Sequence, residues 1–204
     1  VYLSFDMNKI LEDTKFIMNK YNIKANKNLG QNFLINEDVV NNIVNSSEIS
    51  KQDLVIEIGP GLGTLTEKLL EKAGKVIAIE LDERMIKILN DRFSLYDNFE
   101  LINEDVLKVN LGEIIKKEKE NNNFLNAKIV ANLPYYITTP IIMKLLEEEL
   151  DIKSIKKRTA ARTFFLFCCH QRRLAIILIS LDKDITPAIN GMSIVDATSM
   201  IIFT

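Results

Sequence analysis

The tetrapeptide Asn132-Leu133-Pro134-Tyr135 carries the most informative chemistry of this 204-residue chain. The asparagine side-chain oxygen and the carbonyl group beside the proline can both accept hydrogen bonds from one exocyclic amino group. Two such bonds align the nitrogen lone pair for attack on an electrophilic methyl group, so catalysis would rest mostly on proximity and orientation. The ring of Tyr135 offers a surface on which a flipped-out base can stack. The alternative interpretation is a strand-ending turn with a tyrosine that belongs to the core.

A glycine-rich turn lies upstream, at Gly59-Pro60-Gly61-Leu62-Gly63. Glycines let the backbone approach a ligand closely before a helix N-terminus, although many such turns are only tight connections. The turn does not fit G-x-G-x-x-G, because Thr64 stands three residues after Gly61, and it lacks the G-K-[ST] of a phosphate loop. A small nucleoside-like cofactor without a pyrophosphate remains as the expected ligand.

Two carboxylates follow the next two predicted strands. Glu80 can accept both hydroxyl groups of a ribose, and Asp105 can accept from an adenine amino group. Each has an ordinary alternative, a solvated acid for Glu80 and a helix-capping or turn residue for Asp105. Their occurrence at matching strand ends favours a cofactor site.

Strands alternate with helices of about ten residues, which predicts βαβ units and a parallel sheet. Such sheets bind ligands outside the carboxyl ends of their strands, where all the residues above are expected. The predicted strands are 54–58, 75–80, 99–102 and 127–131. The predicted helices are 6–21, one opening at Asn36, 64–72, 84–93, 111–120 and one from Thr139-Pro140 to about residue 150.

The composition is that of a globular protein, with 47% apolar and 26% charged residues. The adjacent cysteines Cys168 and Cys169 cannot form a disulfide framework, which favours a reducing cytosol. No apolar run approaches the ~20 residues that cross a bilayer, and residues 1–6 lack the layout of a signal peptide. We therefore expect a soluble, cytoplasmic protein.

The net charge of −2 is unevenly distributed: residues 1–30 carry +2, residues 31–150 carry −8 and residues 151–204 carry +4. Basic ends could hold a polyanion, since phosphate contacts supply most nonspecific affinity for nucleic acids. The alternative is that these lysines and arginines are simply solvated.

Three segments together resemble a known enzyme family: Lys27–Leu34 (KNLGQNFL), Glu57–Gly63 (EIGPGLG) and Asn132–Pro140 (NLPYYITTP). They are similar to the S-adenosylmethionine-dependent rRNA adenine N6-dimethyltransferases, over about residues 20–155. The KsgA-type branch, which dimethylates two adjacent adenines near the 3′ end of small-subunit rRNA, fits best. The related Erm-type large-subunit enzymes usually differ at Pro60 and Leu133, and remain the alternative.

The resemblance implies an α/β, Rossmann-like methyltransferase fold, with helices on both faces of a mostly parallel sheet. It implies S-adenosyl-L-methionine as cofactor, rRNA within the small ribosomal subunit as partner, and a monomer that needs neither metal nor membrane. The implied cofactor contacts are Asn32 and Leu34 as a cover, Gly59 and Gly61 with Gly59 at the methionine part, Glu80 at the ribose, and Asp105 with Val106 at the adenine. Asn132 would touch both cofactor and target amine, and Pro134 and Tyr135 would complete the target pocket.

The resemblance stops near Ile155, and the family's helical C-terminal domain has no counterpart in residues 156–204. We expect residues 1–35 to form an N-terminal helix and motif loop, and residues 36–155 the methyltransferase domain. Residues 156–204 would be an atypical tail in which Leu174–Ile179 adds a strand to the sheet. A frameshifted or chimeric gene end would explain such a tail, so a noncatalytic rRNA-binding or assembly factor, or an inactive product, is a further alternative. Cys168-Cys169-His170 lacks a fourth ligand for zinc.

Overall fold

A computed structural model describes residues 9–24, 33–148, 163–169 and 174–181 of the chain. Within these residues the helices are α1 Lys9–Lys20, α2 Glu37–Ser46, α3 Thr64–Lys72, α4 Glu83–Phe93, α5 Leu111–Asn122 and α6 Tyr135–Glu147. The strands are β1 Asp53–Ile58, β2 Lys75–Glu80, β3 Phe99–Asn103, β4 Asn126–Pro134, β5 Thr163–Cys169 and β6 Leu174–Leu181.

The described strands form one six-stranded sheet in the order β3-β2-β1-β4-β6-β5. The first four are mutually parallel, while β6 runs antiparallel to β4 and β5 antiparallel to β6. The strand expected at Leu174–Ile179 is present as β6, and the mostly parallel α/β fold is confirmed. The chain runs outward from β1 to β3 and then returns to the other side of β1 with β4. In open α/β sheets, ligands bind at such a reversal of strand order.

The two faces of the sheet bury different sets of helices, as the strand pattern requires. Val55 and Val76 lie on one face and pack with apolar residues of α1 to α4. Ile56 and Ile77 lie on the other face and pack with α5 and α6. Because both faces are covered, the central strands are nearly continuous apolar runs. This rigid frame fixes the carboxyl ends of β1, β2 and β4 relative to one another.

Helix α3 has the predicted bounds, and Asn36 caps α2 as expected, its Oδ1 accepting from the Val39 N–H at 3.2 Å. Two boundaries were predicted wrongly. Strand β4 does not end at Ala131 but continues to Pro134, because β6 pairs with it along this extra length. Helix α6 begins at Tyr135 rather than at Thr139, so Pro140 lies inside the helix and not in its first turn.

Gly63 joins the glycine-rich turn to α3 in a position that no other residue fits. Its φ is +83°, and a Cβ there would overlap the Phe93 ring and lie 3.0 Å from Leu89 Cδ2. Left-handed backbone costs an L-residue about 1 kcal/mol, and overpacking a filled core costs about the same or more. We expect Gly63→Ala to lower the free energy of unfolding by about 2 kcal/mol in urea titrations.

Gly61→Ala is the matched control for this prediction. Gly61 has a similarly positive φ of +58°, but its nearest neighbour, Phe33 Cδ1, would lie at 3.6 Å, an ordinary contact. The control should therefore show only the backbone cost, about 1 kcal/mol. Equal losses in the two variants would mean that contact with Phe93 adds nothing.

Candidate active site

A pocket of about 420 Å³ opens at the carboxyl edge of the parallel strands and is lined by residues at the ends of β1, β2 and β4. Its size lies within the range of small-molecule sites. Eight of the predicted site residues line this pocket together: Leu34, Gly59, Gly61, Glu80, Asp105, Val106, Asn132 and Pro134. The structure therefore brings these eight residues together at one edge of the sheet, as the sequence predicts.

The glycine-rich turn forms one wall of the pocket and is held in place by two backbone donors. Gly59 and Gly61 have φ values of +69° and +58°, which only glycine adopts at low cost. The Gly59 N–H donates to the Ile79 carbonyl at 3.0 Å, and the Gly61 N–H donates to Glu80 Oε2 at 3.1 Å. The turn is thus fastened to the end of β2, immediately before α3.

Glu80 ends β2 as predicted and is a fixed acceptor rather than a solvated acid. It is 8% exposed, and its Oε1 accepts from the Asp82 N–H at 2.9 Å while Oε2 holds Gly61. Burial raises the pKa of Glu80, and the two backbone N–H groups oppose that rise. Each carboxylate oxygen has a second lone pair, so Glu80 can still accept hydrogen bonds from a ligand.

Asp105 follows β3 and forms a side-chain turn, as expected if it is a turn residue rather than a cofactor ligand. Its Oδ1 accepts from the Leu107 N–H at 2.9 Å, which closes a side-chain turn and presents Val106 to the pocket. This turn leaves the ligand role of Asp105 open, since the residue also lines the cavity. Leu81 and Leu107 add exposed apolar surface to the same rim, which the sequence analysis did not anticipate.

Asn132 lies inside β4 rather than after it, on the same face of the sheet as Glu57 and Gly59. Its Oδ1 is buried, and no donor among the described residues reaches it. Buried acceptors are nearly always paired, and leaving one unpaired costs about 1–3 kcal/mol. An unpaired oxygen at the wall of a ligand-sized pocket indicates a partner that comes from the ligand or substrate.

Two of the predicted residues are not placed by the structure. Asn32 lies outside the described residues, and for Tyr135 only the backbone is described, at the start of α6. Their expected roles therefore stay predictions.

Glu57 is a pocket residue for which the sequence predicts no role, although it is the first residue of the EIGPGLG segment. It is 2% exposed, lines the pocket floor, and its Oε2 accepts from Thr66 Oγ1 at 2.7 Å. The signal was a single acid within the otherwise aliphatic segment Leu54–Ile58. A buried, unpaired charge is costly, so such an acid in a central strand indicates a special site.

The electrostatic character of the pocket is strongly acidic. No lysine, arginine or histidine among the described residues lines it. Five carboxyl side chains do: Glu57, Glu80, Asp82, Glu104 and Asp105. This lining disfavours phosphates and favours a cationic ligand. No group of three histidine, cysteine, aspartate or glutamate residues in the described part of the chain is arranged to hold a metal ion.

No helix in the described segments is long and apolar enough to span a membrane.

Comparison with known proteins identifies the family. The model of the family described as "Ribosomal RNA adenine dimethylase" matches residues 22–176, so the match runs past Ile155 into β6. The Clostridium botulinum (strain Okra / Type B1) protein called "Ribosomal RNA small subunit methyltransferase A" is 54% identical to this chain over 154 residues. The match covers 74% of this chain and 54% of that protein. The Bacillus pumilus (strain SAFR-032) protein of the same name is 51% identical over 145 residues, covering 70% and 48%.

The solved structure of a dimethyladenosine transferase from Plasmodium falciparum has a TM-score of 0.43 and 20% identity, and covers 74% of this chain and 63% of that one. The chain spans about half the length of the curated relatives it matches. Because the family model matches about three quarters of the sequence, the assignment is secure. The chain belongs to the ribosomal RNA adenine dimethylase family.

Proposed function

We propose that this protein binds S-adenosyl-L-methionine and transfers methyl groups to the N6 amino groups of two adjacent adenines in small-subunit (16S) rRNA during ribosome maturation. The observation that carries the proposal is the buried Asn132 Oδ1 at the wall of the pocket, which no donor in the described part of the chain reaches. The relatives' shared name, which refers to a methyltransferase of the small ribosomal subunit, supports the same substrate.

The described residues fit the proposed cofactor. Its sulfonium and ammonium groups and its single carboxylate give it a net positive charge. This charge suits a pocket to which the described residues contribute five carboxyl groups and no basic side chain. Glu80 would hold the ribose, Asp105 and Val106 would frame the adenine, and Gly59 and Gly61 would contact the cofactor, with Gly59 at the methionine part. Leu34 lies on the pocket wall, where it would cover the cofactor together with Asn32. Bound there, the cofactor would supply a methyl group made electrophilic by its positive sulfur.

Asn132 and the backbone beside it would position the target amine. Asn132 Oδ1 and the Leu133 carbonyl would accept its two N–H bonds, while Pro134 brings no N–H of its own to compete. Tyr135 would stack on the flipped-out adenine. With the nitrogen lone pair aligned, no general base is required, and the proton lost after transfer would leave to water.

We propose that the protein acts as a cytoplasmic monomer on rRNA within the small ribosomal subunit, without metal or membrane. We also propose the division into an N-terminal segment 1–35, a methyltransferase domain 36–155 and a tail 156–204 that completes the sheet through β6.

Calorimetric titration of S-adenosylmethionine into the full chain tests the cofactor site. We expect binding in the wild type and at least about tenfold weaker binding in Glu80→Ala, which loses the ribose acceptor and the anchor of the Gly61 turn. Glu100→Ala is the matched control, because Glu100 pairs with Lys75 outside the pocket. Equal affinity in all three proteins would refute the role of Glu80.

Methylation assays then separate the proposal from its alternatives. Transfer to small-subunit rRNA supports the proposed substrate, and transfer to large-subunit rRNA alone would point to Erm-type activity. Cofactor binding without transfer to either would indicate a noncatalytic rRNA-binding or assembly factor. A folded protein that binds no cofactor would be an inactive product.

A further inference from the structure

Glu57 is a buried acid on the pocket floor that the proposed reaction does not use. It sits in the middle of the sheet on β1, between Ala78 of β2 and Val130 of β4 in the strand register, with 2% of its surface exposed. Thr66 of α3 closes over it and donates to its Oε2 at 2.7 Å. Glu57 also lines the pocket.

The charged groups around Glu57 do not neutralise it. Lys128 shares its face of the sheet, but the Lys128 ammonium lies 3.3 Å from Asp53 Oδ2 and donates to the carbonyls of Ser47 and Glu48. Arg92 of α4 is similarly engaged with Glu67 and the Leu62 carbonyl. The other charged side chains that line the pocket among the described residues are acids: Glu80 at the end of β2, Asp82, Glu104 and Asp105.

This environment determines the protonation state of Glu57. Burial raises its pKa to about 8, the hydrogen bond from Thr66 opposes the rise, and the nearby Glu80 adds to it. At pH 7 the carboxyl group therefore carries a proton. A positive charge placed in the pocket would favour the ionised form, because a nearby opposite charge stabilises a carboxylate.

The proposed cofactor and its product differ by such a charge. S-adenosylmethionine has a sulfonium sulfur, whereas S-adenosylhomocysteine has a neutral thioether at the same position. We propose that Glu57 is a specificity-determining residue that senses this charge: it releases its proton to solvent when the cationic cofactor binds and keeps it when the neutral product binds. The inference rests on the proposed function, since it takes the cofactor from there.

Proton counting by calorimetry tests the inference on the full chain without any catalytic turnover. Titrations at pH 7 in buffers of different ionisation enthalpy give the number of protons released per ligand bound. We expect about one proton for S-adenosylmethionine and much less for S-adenosylhomocysteine. Because one proton is linked to binding, the Kd for S-adenosylmethionine should rise by up to about tenfold per pH unit as the pH falls below about 8, and level off where Glu57 stays protonated in the complex. The Kd for the product should change little.

Variants assign the proton to Glu57. Glu57→Gln should abolish the difference in proton release between the two ligands, and it also corrects for titration of the ligands' own amino groups. Thr66→Val, which removes the bond that opposes protonation, should move the pH dependence to higher pH. Glu118→Gln is the matched control: Glu118 is also buried but pairs with Lys75 at the opposite end of β2, so proton release should remain as in the wild type.

The outcomes distinguish this inference from the proposed function. If the wild type binds neither ligand, the proposed function fails and the role of Glu57 fails with it. If both ligands bind with equal proton release, or if Glu57→Gln releases protons as the wild type does, only the role of Glu57 is overturned.

Discussion

Asn132→Ala is expected to lower methyl transfer about 100- to 1000-fold while leaving the Kd for S-adenosylmethionine within about tenfold. The variant removes the side-chain acceptor that would orient the target amine, and losing one well-placed hydrogen-bonding group of this kind typically costs about 100- to 1000-fold in rate. The cofactor keeps the glycine-rich turn, Glu80 and the Val106 wall, all of which line the pocket independently of Asn132. Single-turnover assays on small-subunit rRNA, with calorimetry for the Kd, check both expectations.

Two further variants make the result specific. Asn132→Asp retains side-chain oxygens that can accept, so it should recover a measurable part of the lost rate. Asn126→Ala changes an asparagine at the other end of β4, where Nδ2 donates to Asp53, and should leave turnover at the wild-type level. Unchanged turnover in Asn132→Ala would refute the assigned role.

Stability separates this role from the alternative of a structural turn residue. An asparagine that holds a turn would lose its hydrogen bond on truncation, and unfolding would become easier. Asn132 Oδ1 has no such bond among the described residues, so the alanine variant removes an unpaired buried acceptor and should cost no stability. A fall in the free energy of unfolding that parallels the loss of activity would favour the structural interpretation.

The sequence predicted those features that local patterns determine. Alternating aliphatic and polar segments located β1, β2 and α3, and the glycine-rich turn located the wall of the pocket. The convergence of Glu80, Asp105 and Asn132 followed from the rule that parallel strands end at one edge. Each of these inferences needs only neighbouring residues and the direction of the chain.

The features that the sequence did not predict depend on contacts between distant segments. Strand β4 extends through Pro134 because β6, about 40 residues later, pairs with it there. The burial of Glu57 results from Thr66 above it and from strands on both sides, so its role could not be read from the motif alone. Pro140 falls inside α6 because the helix starts at Tyr135, directly after the extended β4, and a proline at this position has no N–H to donate to the carbonyl of residue 136.

The pairing of β6 also bears on the site, because β4 carries Asn132. Without a neighbour, the outer edge of β4 would expose unpaired backbone groups. Strand β6 pairs with β4 from Ala127 to Pro134 and so covers this edge along the whole site strand. A tail that supplies β6 therefore supports the geometry of Asn132, whatever the origin of residues 156–204.

Glu57→Gln is expected to change how stability depends on pH by roughly 3 kcal/mol between pH 5 and pH 8. In the wild type the folded-state pKa of Glu57 is about 8, well above its ordinary value of 4.5. A tenfold difference in proton affinity is worth about 1.4 kcal/mol. The stabilisation from this proton is complete below pH 4.5 and is lost progressively as the pH rises toward 8, because only the unfolded chain ionises freely in that range.

Urea titrations of the wild type and the variant at several pH values measure this difference directly. Glutamine has nearly the same shape and can still accept from Thr66, but it does not titrate. The variant should therefore gain stability relative to the wild type as the pH rises, and be the more stable of the two at pH 8. The comparison removes the contributions of all other titrating groups, since both proteins share them. Parallel pH profiles would mean that Glu57 is ionised in the folded protein, and its buried charge would then need a cation that the described residues do not supply, because Lys128 is paired with Asp53.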